Sequence, residues 1–338
     1  LTESDNYGTN NDHNKKGKMR SFMREDIYND VQRNVEKLSG KNIPFWDKLA
    51  EKWGFSNKET IRSQYRNEAK RRGYSLYKAR QKNGPRILIF DLETSPLSGY
   101  FWGLWEQNIS IGAILKDWHL ISYAAKWLFD EDVISEVMTP REMANENDYR
   151  LTKSMWNLLD EADIAVAYNG MSFDVKRINT CFLKHELPPT SPYISVDPIR
   201  VAKKKFDFSS NKMDYISQFL DGDRKLHTDF SLWARCMDGN SDALNEMDFY
   251  CRQDIAVLES IYLNFLPWMD GNHPNMNVFY DDEISRCPMC SSVNIEYTGK
   301  EYKTTTNSYP SFVCKDCGYQ GKSRKGSLSK EKRKTIVR

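Results

Sequence analysis

Three acidic constellations in this chain have residue types and spacings that could do chemistry. In FDLET (90–94), Asp91 and Glu93 stand two apart at the end of the apolar run 87–90. On a strand that spacing puts both carboxylates on one face, where they repel unless a cation sits between them. YNGMSFD (168–174) places an Asn-Gly turn ahead of Asp174, in the first turn of an expected helix. In YCRQD (250–254), Tyr250 and Asp254 are four apart and share one face of a long helix. Singly, each has an ordinary explanation: a solvated strand edge, an acid favoured by a helix dipole, a solvated helical pair. Together they form an oxygen-donor set suited to hard divalent cations.

A second donor set is different in kind. CPMC (287–290) and CKDCG (314–318) are two CxxC pairs separated by 23 residues. Each closes a turn that aims two thiolates at one point, and four thiolates suit a tetrahedral structural Zn²⁺ at Cys287, Cys290, Cys314 and Cys317. The intervening VNIEY and FVC can pair as a hairpin, so this segment resembles a zinc ribbon. Such cysteine usage belongs in a reducing compartment. Cys181, Cys236 and Cys251 read as core residues.

The elements that must position these groups follow from periodicity. Strands are expected at 87–90, 118–129, 133–138, 163–168 and 193–196, and helices at 147–161, through Val175, Ile178 and Phe182, and at 197–204, 211–220 and 242–266. Strands first, then strand-helix alternation, predict an α/β mixed sheet with helices packed on it. Upstream, Ile27, Val31, Val35 and Leu38 define one helix. Pro44 opens a second that Gly54 ends, and Ser56 with Glu59 forms a capping box for a third. The stretch 49–73 resembles a helix-turn-helix whose second helix offers Lys58, Arg62, Arg66 and Lys70 to phosphates.

In their order along the chain, DxE, NxxxxD and YxxxD resemble the three motifs of the DEDD 3′-to-5′ exonuclease superfamily. Tyr250 marks the Tyr-type branch, and His273 lies too far past the motif to substitute. FDLETSP, YFWGLWEQNI, ISYAAKWLF, LPPTSPY and SSNKMDYISQFL resemble ribonuclease-H-like exonucleases of bacteriophages, and the resemblance covers about residues 87–320. It implies a ribonuclease-H-like fold and two Mg²⁺ or Mn²⁺ ions per active site. It also implies that Asp91 bridges both ions, Glu93 and Asp254 complete one site, Asp174 anchors the second, and Tyr250 orients the attacking water. Thr94 and Asn169 would hold substrate. DNA is the expected substrate ahead of RNA, with replication or repair proteins as further partners in a phage-infected bacterial cytoplasm. A ribonuclease of this fold, a structure-selective endonuclease and a non-catalytic nucleic-acid-binding regulator are the alternatives.

Charge is distributed to match. Residues 15–86 carry 20 Lys/Arg against 8 Asp/Glu, residues 87–286 carry 18 against 32, and residues 287–338 carry 11 against 4. Basic ends around an acidic middle suit modules that grip a polyanion around a carboxylate-bearing core. Aromatic residues, at 13%, argue against a wholly disordered chain. No apolar run approaches the roughly 18 residues of a membrane span. The polar residues 1–14 predict no secretory signal in the sequence given. The expected organisation is a disordered 1–19, a helix-turn-helix domain at 20–82, an exonuclease domain at 86–270, a zinc ribbon at 284–321, and a flexible basic tail at 322–338.

Overall fold

The structure is a computed structural model that describes residues 23–37, 43–56, 60–61, 64–65, 84–103, 105–106, 108–222 and 228–337. Lys58, Arg62, Arg66 and Lys70 lie outside the described residues. The chain divides into two compact units, one of residues 1–33 and 44–73, the other of 34–43 and 74–338.

The smaller unit is helical. Helices α1 (Glu25–Lys37) and α2 (Ile43–Trp53) bury Ile27, Val31, Leu49 and Ala50. Tyr28 stacks on Tyr65, with ring centroids 5.6 Å apart. Asp30 ties the helices together, accepting from Lys52 Nζ at 2.7 Å and Trp53 Nε1 at 2.8 Å. Gly54, with φ +68°, ends α2 where a residue bearing Cβ would be strained.

The larger unit is built on a five-stranded sheet in the order β5-β4-β1-β6-β7. Its strands are β1 (Ile87–Thr94), β4 (Leu120–Trp127), β5 (Ile134–Val137), β6 (Ile164–Val166) and β7 (Ile194–Val196). β1 pairs antiparallel with β4 and parallel with β6, so the sheet is mixed as expected. A short pair, β2 (Ser98–Gly99) and β3 (Ile114–Lys116), stands apart from it. β1 is central and buried on both faces, which explains its unbroken apolar start. Leu88, Phe90 and Leu92 enter one core with α4 (Tyr149–Asp160) and α5 (Asp174–Lys184), which follow the short α3 (Pro140–Ala144). Ile87 and Ile89 face the other core, with α6 (Pro198–Lys205) and the later turns of α9 (Ser241–Phe265). Between these helices lie α7 (Met213–Phe219) and α8 (Phe230–Met237). Asp91 and Glu93 continue the odd-numbered side of β1.

The cysteine-bearing segment forms a three-stranded sheet, β8 (Ile295–Lys303), β9 (Ser308–Cys314) and β10 (Gln320–Lys322). Cys287, Met289, Phe312, Cys314 and Tyr319 share a core with Ile261, Tyr262 and Phe265 of α9. The first residues of the segment expected to be a basic tail, 322–327, pair with the ribbon. Lys322 pairs with Ser311, Ser323 N–H donates to Pro310 O at 2.8 Å, and Ser327 N–H donates to Ser308 O at 2.8 Å. Backbone bonds to β9 do this, and they leave no mark in side-chain periodicity. α10 (Lys330–Lys334) follows, capped by Ser329.

Candidate metal-dependent active site

β1 delivers two of the carboxylates. Asp91 pairs across the ladder with Ala124 and Glu93 with Ser122; the register then shifts between Glu93 and Thr94, and Thr94 pairs with Leu120. The extra residue, Ile121, lies on β4, and such a bulge bends its own strand opposite the end of the Asp91–Glu93 segment. Ser95 fastens the strand just past the bulge. Its N–H donates to His119 O at 2.9 Å, and its Oγ accepts from His119 N–H at 2.9 Å.

α9 delivers the third. Its N-cap, Asn240, accepts from Ala243 N–H at 2.9 Å. Tyr250 and Asp254 lie mid-helix, both buried. The helix meets β1 at Cys251, whose Sγ is 3.7 Å from Asp91 O. Asp91, Glu93 and Asp254 converge there, with a carboxylate oxygen from each within 4.8 Å of the others. The Cys251 thiol registers the concentrated charge: burial first, then Asp91, Glu93 and Asp254, push its pKa well above the ordinary value. Tyr250 packs edge-on against Trp233, with centroids 6.0 Å apart.

Asp174 lies outside that cluster but is linked to it. It is the first residue of α5, 2% exposed, and its Oδ1 accepts the N–H of Leu92 at 3.2 Å. Burial, with a smaller contribution from Asp197, raises its pKa to about 7. The turn that delivers it depends on Asn169 at φ +61° and on Gly170, where a Cβ would sit 2.4 Å from Ala167 Cβ. Asn169 N–H donates to Asp197 Oδ1 at 2.8 Å. Sequence reading missed Asp197. Asp-Pro at 197–198 marks a helix start, and Asp197 does cap α6 by accepting from Ile199 N–H. Its hold on a turn 28 residues upstream is a tertiary pairing with no local signal.

The acidic donors fit a hard divalent cation. Oxygens around one Mg²⁺ at its usual bond length lie at most about 4.2 Å apart, so small side-chain rotations bring the cluster into range. The cysteines fit a softer one. The Sγ atoms of Cys287 and Cys317 are 3.6 Å apart, as are those of Cys290 and Cys314, and all four lie within 4.8 Å. That separation is far beyond a disulfide bond and close to the edge of a tetrahedron with Zn–S bonds of about 2.3 Å. Each CxxC turn closes alike: Ser291 N–H donates to Cys287 O at 3.0 Å and Gly318 N–H to Cys314 O at 2.9 Å. Asp316 latches one turn to the other, accepting from Ser292 Oγ at 2.5 Å and Asn294 Nδ2 at 2.9 Å.

The family model RNase_H_2, described as RNase_H superfamily, matches residues 119–265. The mixed sheet flanked by helices agrees with a ribonuclease-H-like fold. Among solved structures, the family B DNA polymerase from the hyperthermophilic archaeon Pyrobaculum calidifontis is similar at 14% identity and a TM-score of 0.42. The match covers 54% of this chain and 25% of that one. No curated protein matches the sequence. Among the described residues, no helix is long and apolar enough to cross a membrane.

Proposed function

We propose that the chain is a two-metal 3′-to-5′ exonuclease of the Tyr-type DEDD group, hydrolysing phosphodiester bonds of DNA. The observation that carries this reading is the convergence of Asp91, Glu93 and Asp254 from a strand and a helix 160 residues apart in sequence. Asp91, Glu93, Asp254 and Asp174 would hold two Mg²⁺ or Mn²⁺ ions. Bound there, the cations supply Lewis acidity and neutralise charge at the phosphate and the leaving oxygen.

The chain's own residues supply position. The β4 bulge opposite Glu93 and Thr94 and the Ser95–His119 clasp set the strand end, and α9 presents Asp254 and Tyr250 from one face. Tyr250 orients the attacking water through its hydroxyl; a phenol titrates at about 10, so the role is orientation rather than proton abstraction. Thr94, at the bulge, and Asn169, at the turn before Asp174, hold the substrate strand. The four cysteines hold a structural Zn²⁺. Lys58, Arg62, Arg66 and Lys70 of the helix-turn-helix grip phosphates of the bound strand.

The test of direction and substrate is a cleavage assay with Mg²⁺ or Mn²⁺. Matched single- and double-stranded DNA and RNA carry a label at the 5′ end. The reading expects a descending ladder from DNA. A discrete internal product would make the protein an endonuclease, a ladder from RNA alone a ribonuclease, and unchanged substrate a binding protein.

A further inference from the structure

Directly past the carboxylate strand the chain builds an arm that the acidic site does not use. It leaves β1 through Ser95 and Pro96, runs out along β2, and returns along β3 to Trp118. Tyr100, Phe101, Trp102, Trp105, Ile109 and Ile111 on it are all exposed, Trp102 completely and Trp105 at 83%. Solvated apolar side chains in this density mark a surface that meets a partner. The arm is nonetheless built: Tyr100 N–H donates to Ala113 O at 2.9 Å. A Cβ at Gly99 would come within 2.5 Å of that same oxygen, so the two limbs touch where only glycine fits. Lys116 pairs with Glu146 at 2.6 Å and anchors the return limb.

The outgoing end of the arm starts beside the acidic cluster, and the returning end lies beside the turn that delivers Asp174. The outgoing limb starts two residues past Glu93, and extended chain covers only about 3.4 Å per residue, so Leu97 lies within roughly 14 Å of Glu93. The returning limb ends at Trp118, and the Arg177 guanidinium lies 4.0 Å from that ring's centroid. Arg177 is one turn past Asp174, and it also lies 5.1 Å from the ring of Phe173, the residue before Asp174. Base faces meet aromatic surfaces, and phosphates do not. The stretch 97–115 carries Glu106 as its sole charged residue, so it offers ring faces and no cation for a backbone.

We propose that the exposed rings of Tyr100, Phe101, Trp102 and Trp105 on this arm form a stacking platform for unpaired bases of a single-stranded nucleic acid whose phosphate occupies the acidic site. The inference rests on reading that site as a nuclease centre. Stacking tolerates any sequence and contributes several-fold to more than a hundredfold in affinity per base.

The test uses the full chain in Ca²⁺ and a fluorescent single strand of about 12 nucleotides, oligo-dT in one arm and an abasic strand of equal length in the other. Trp102→Ala combined with Trp105→Ala should weaken oligo-dT binding by about tenfold or more. Wild type should bind the abasic strand as weakly as the variant binds oligo-dT, and the substitutions should not weaken abasic binding further. Circular dichroism and the unfolding temperature check that the variant stays folded. The platform is overturned if the variant binds oligo-dT as wild type does, which would make the arm a protein-docking surface. It is equally overturned if wild type binds both strands alike, or neither. Cleavage by wild type in Mg²⁺, measured in parallel, separates the two readings. Stacking without cleavage removes the nuclease and keeps the platform; cleavage with unaltered variant binding does the reverse.

Discussion

Leu92 donates its backbone N–H to Oδ1 of Asp174 at 3.2 Å. The strand is therefore fastened to the head of α5 at the residue between Asp91 and Glu93, and one hydrogen bond links that carboxylate pair to Asp174. The bond holds a carboxylate whose pKa burial has raised to about 7 from 3.8.

A raised carboxylate pKa means that stability is full below the unfolded value and is lost as pH rises through the folded one. Metal-free wild type should therefore lose stability between pH 3.8 and about 7, by an amount on the order of 4 kcal/mol if the group is fully charged when folded. Asp174→Asn keeps an acceptor for Leu92 and removes the titration. Denaturant unfolding in chelator across this range should show the variant gaining on wild type as pH rises. Parallel pH profiles would mean Asp174 is solvated.

Tyr250→Phe keeps the edge-on packing against Trp233 and removes only the hydroxyl. Turnover should fall by roughly 10- to 1000-fold, or about 1.4–4 kcal/mol of barrier, with substrate affinity little changed. Retained turnover with weakened affinity would make Tyr250 a substrate contact instead.

Much of this site could be read from residue order alone, and the reasons are local. The apolar run ending in Asp-x-Glu marks β1, Tyr250 and Asp254 keep helical spacing, and paired CxxC turns specify four thiols at one point. What could not be read are pairings across the fold. Asp174 meets Leu92 from 82 positions away, and Asp197 holds Asn169 through a backbone bond. α8 was not anticipated, because only Leu232 and Cys236 of its eight residues are buried and a single turn of apolar spacing is too little to mark a helix. The β2–β3 arm was missed because its apolar residues face solvent, where pattern reading expects a core.

The cysteine cluster should hold about one Zn²⁺ per chain. Cys287, Cys314 and Phe312 pack in the same core as Tyr262 and Phe265, so removing the ion should loosen more than the ribbon. Cys290→Ser should lower the unfolding temperature of the larger unit as one transition, since a metal-bound module of this size has little core of its own. Zinc-free protein from chelator-free purification would reject the site. A separate low-temperature transition would show instead that the shared core does not couple the two.

His273 offers a second pH test of opposite sign. It is buried, with Nε2 2.9 Å from Tyr262 Oη and Nδ1 2.8 Å from Pro274 O. Nδ1–H therefore donates to the carbonyl, and the Tyr262 hydroxyl donates to Nε2. Burial lowers its pKa to about 4 from 6.5. Its stabilising contribution is thus present above pH 6.5 and lost as pH falls through 4, about 3 kcal/mol in all. His273→Gln should flatten the acid limb of the stability profile relative to wild type; an unaltered acid limb would mean the ring already titrates normally.

The most direct test of the account is metal-dependent cleavage by wild type set against Asp91→Asn and Asp254→Asn. Both substitutions keep side-chain volume and remove a charge that the cluster of Asp91, Glu93 and Asp254 concentrates. The account predicts wild-type hydrolysis of DNA that needs Mg²⁺ or Mn²⁺ and stops in chelator. Each variant should fall by roughly a thousandfold or more, about 4 kcal/mol of barrier, while remaining folded by circular dichroism. Variants that cleave within about tenfold of wild type, or wild-type cleavage that persists in chelator, would contradict it.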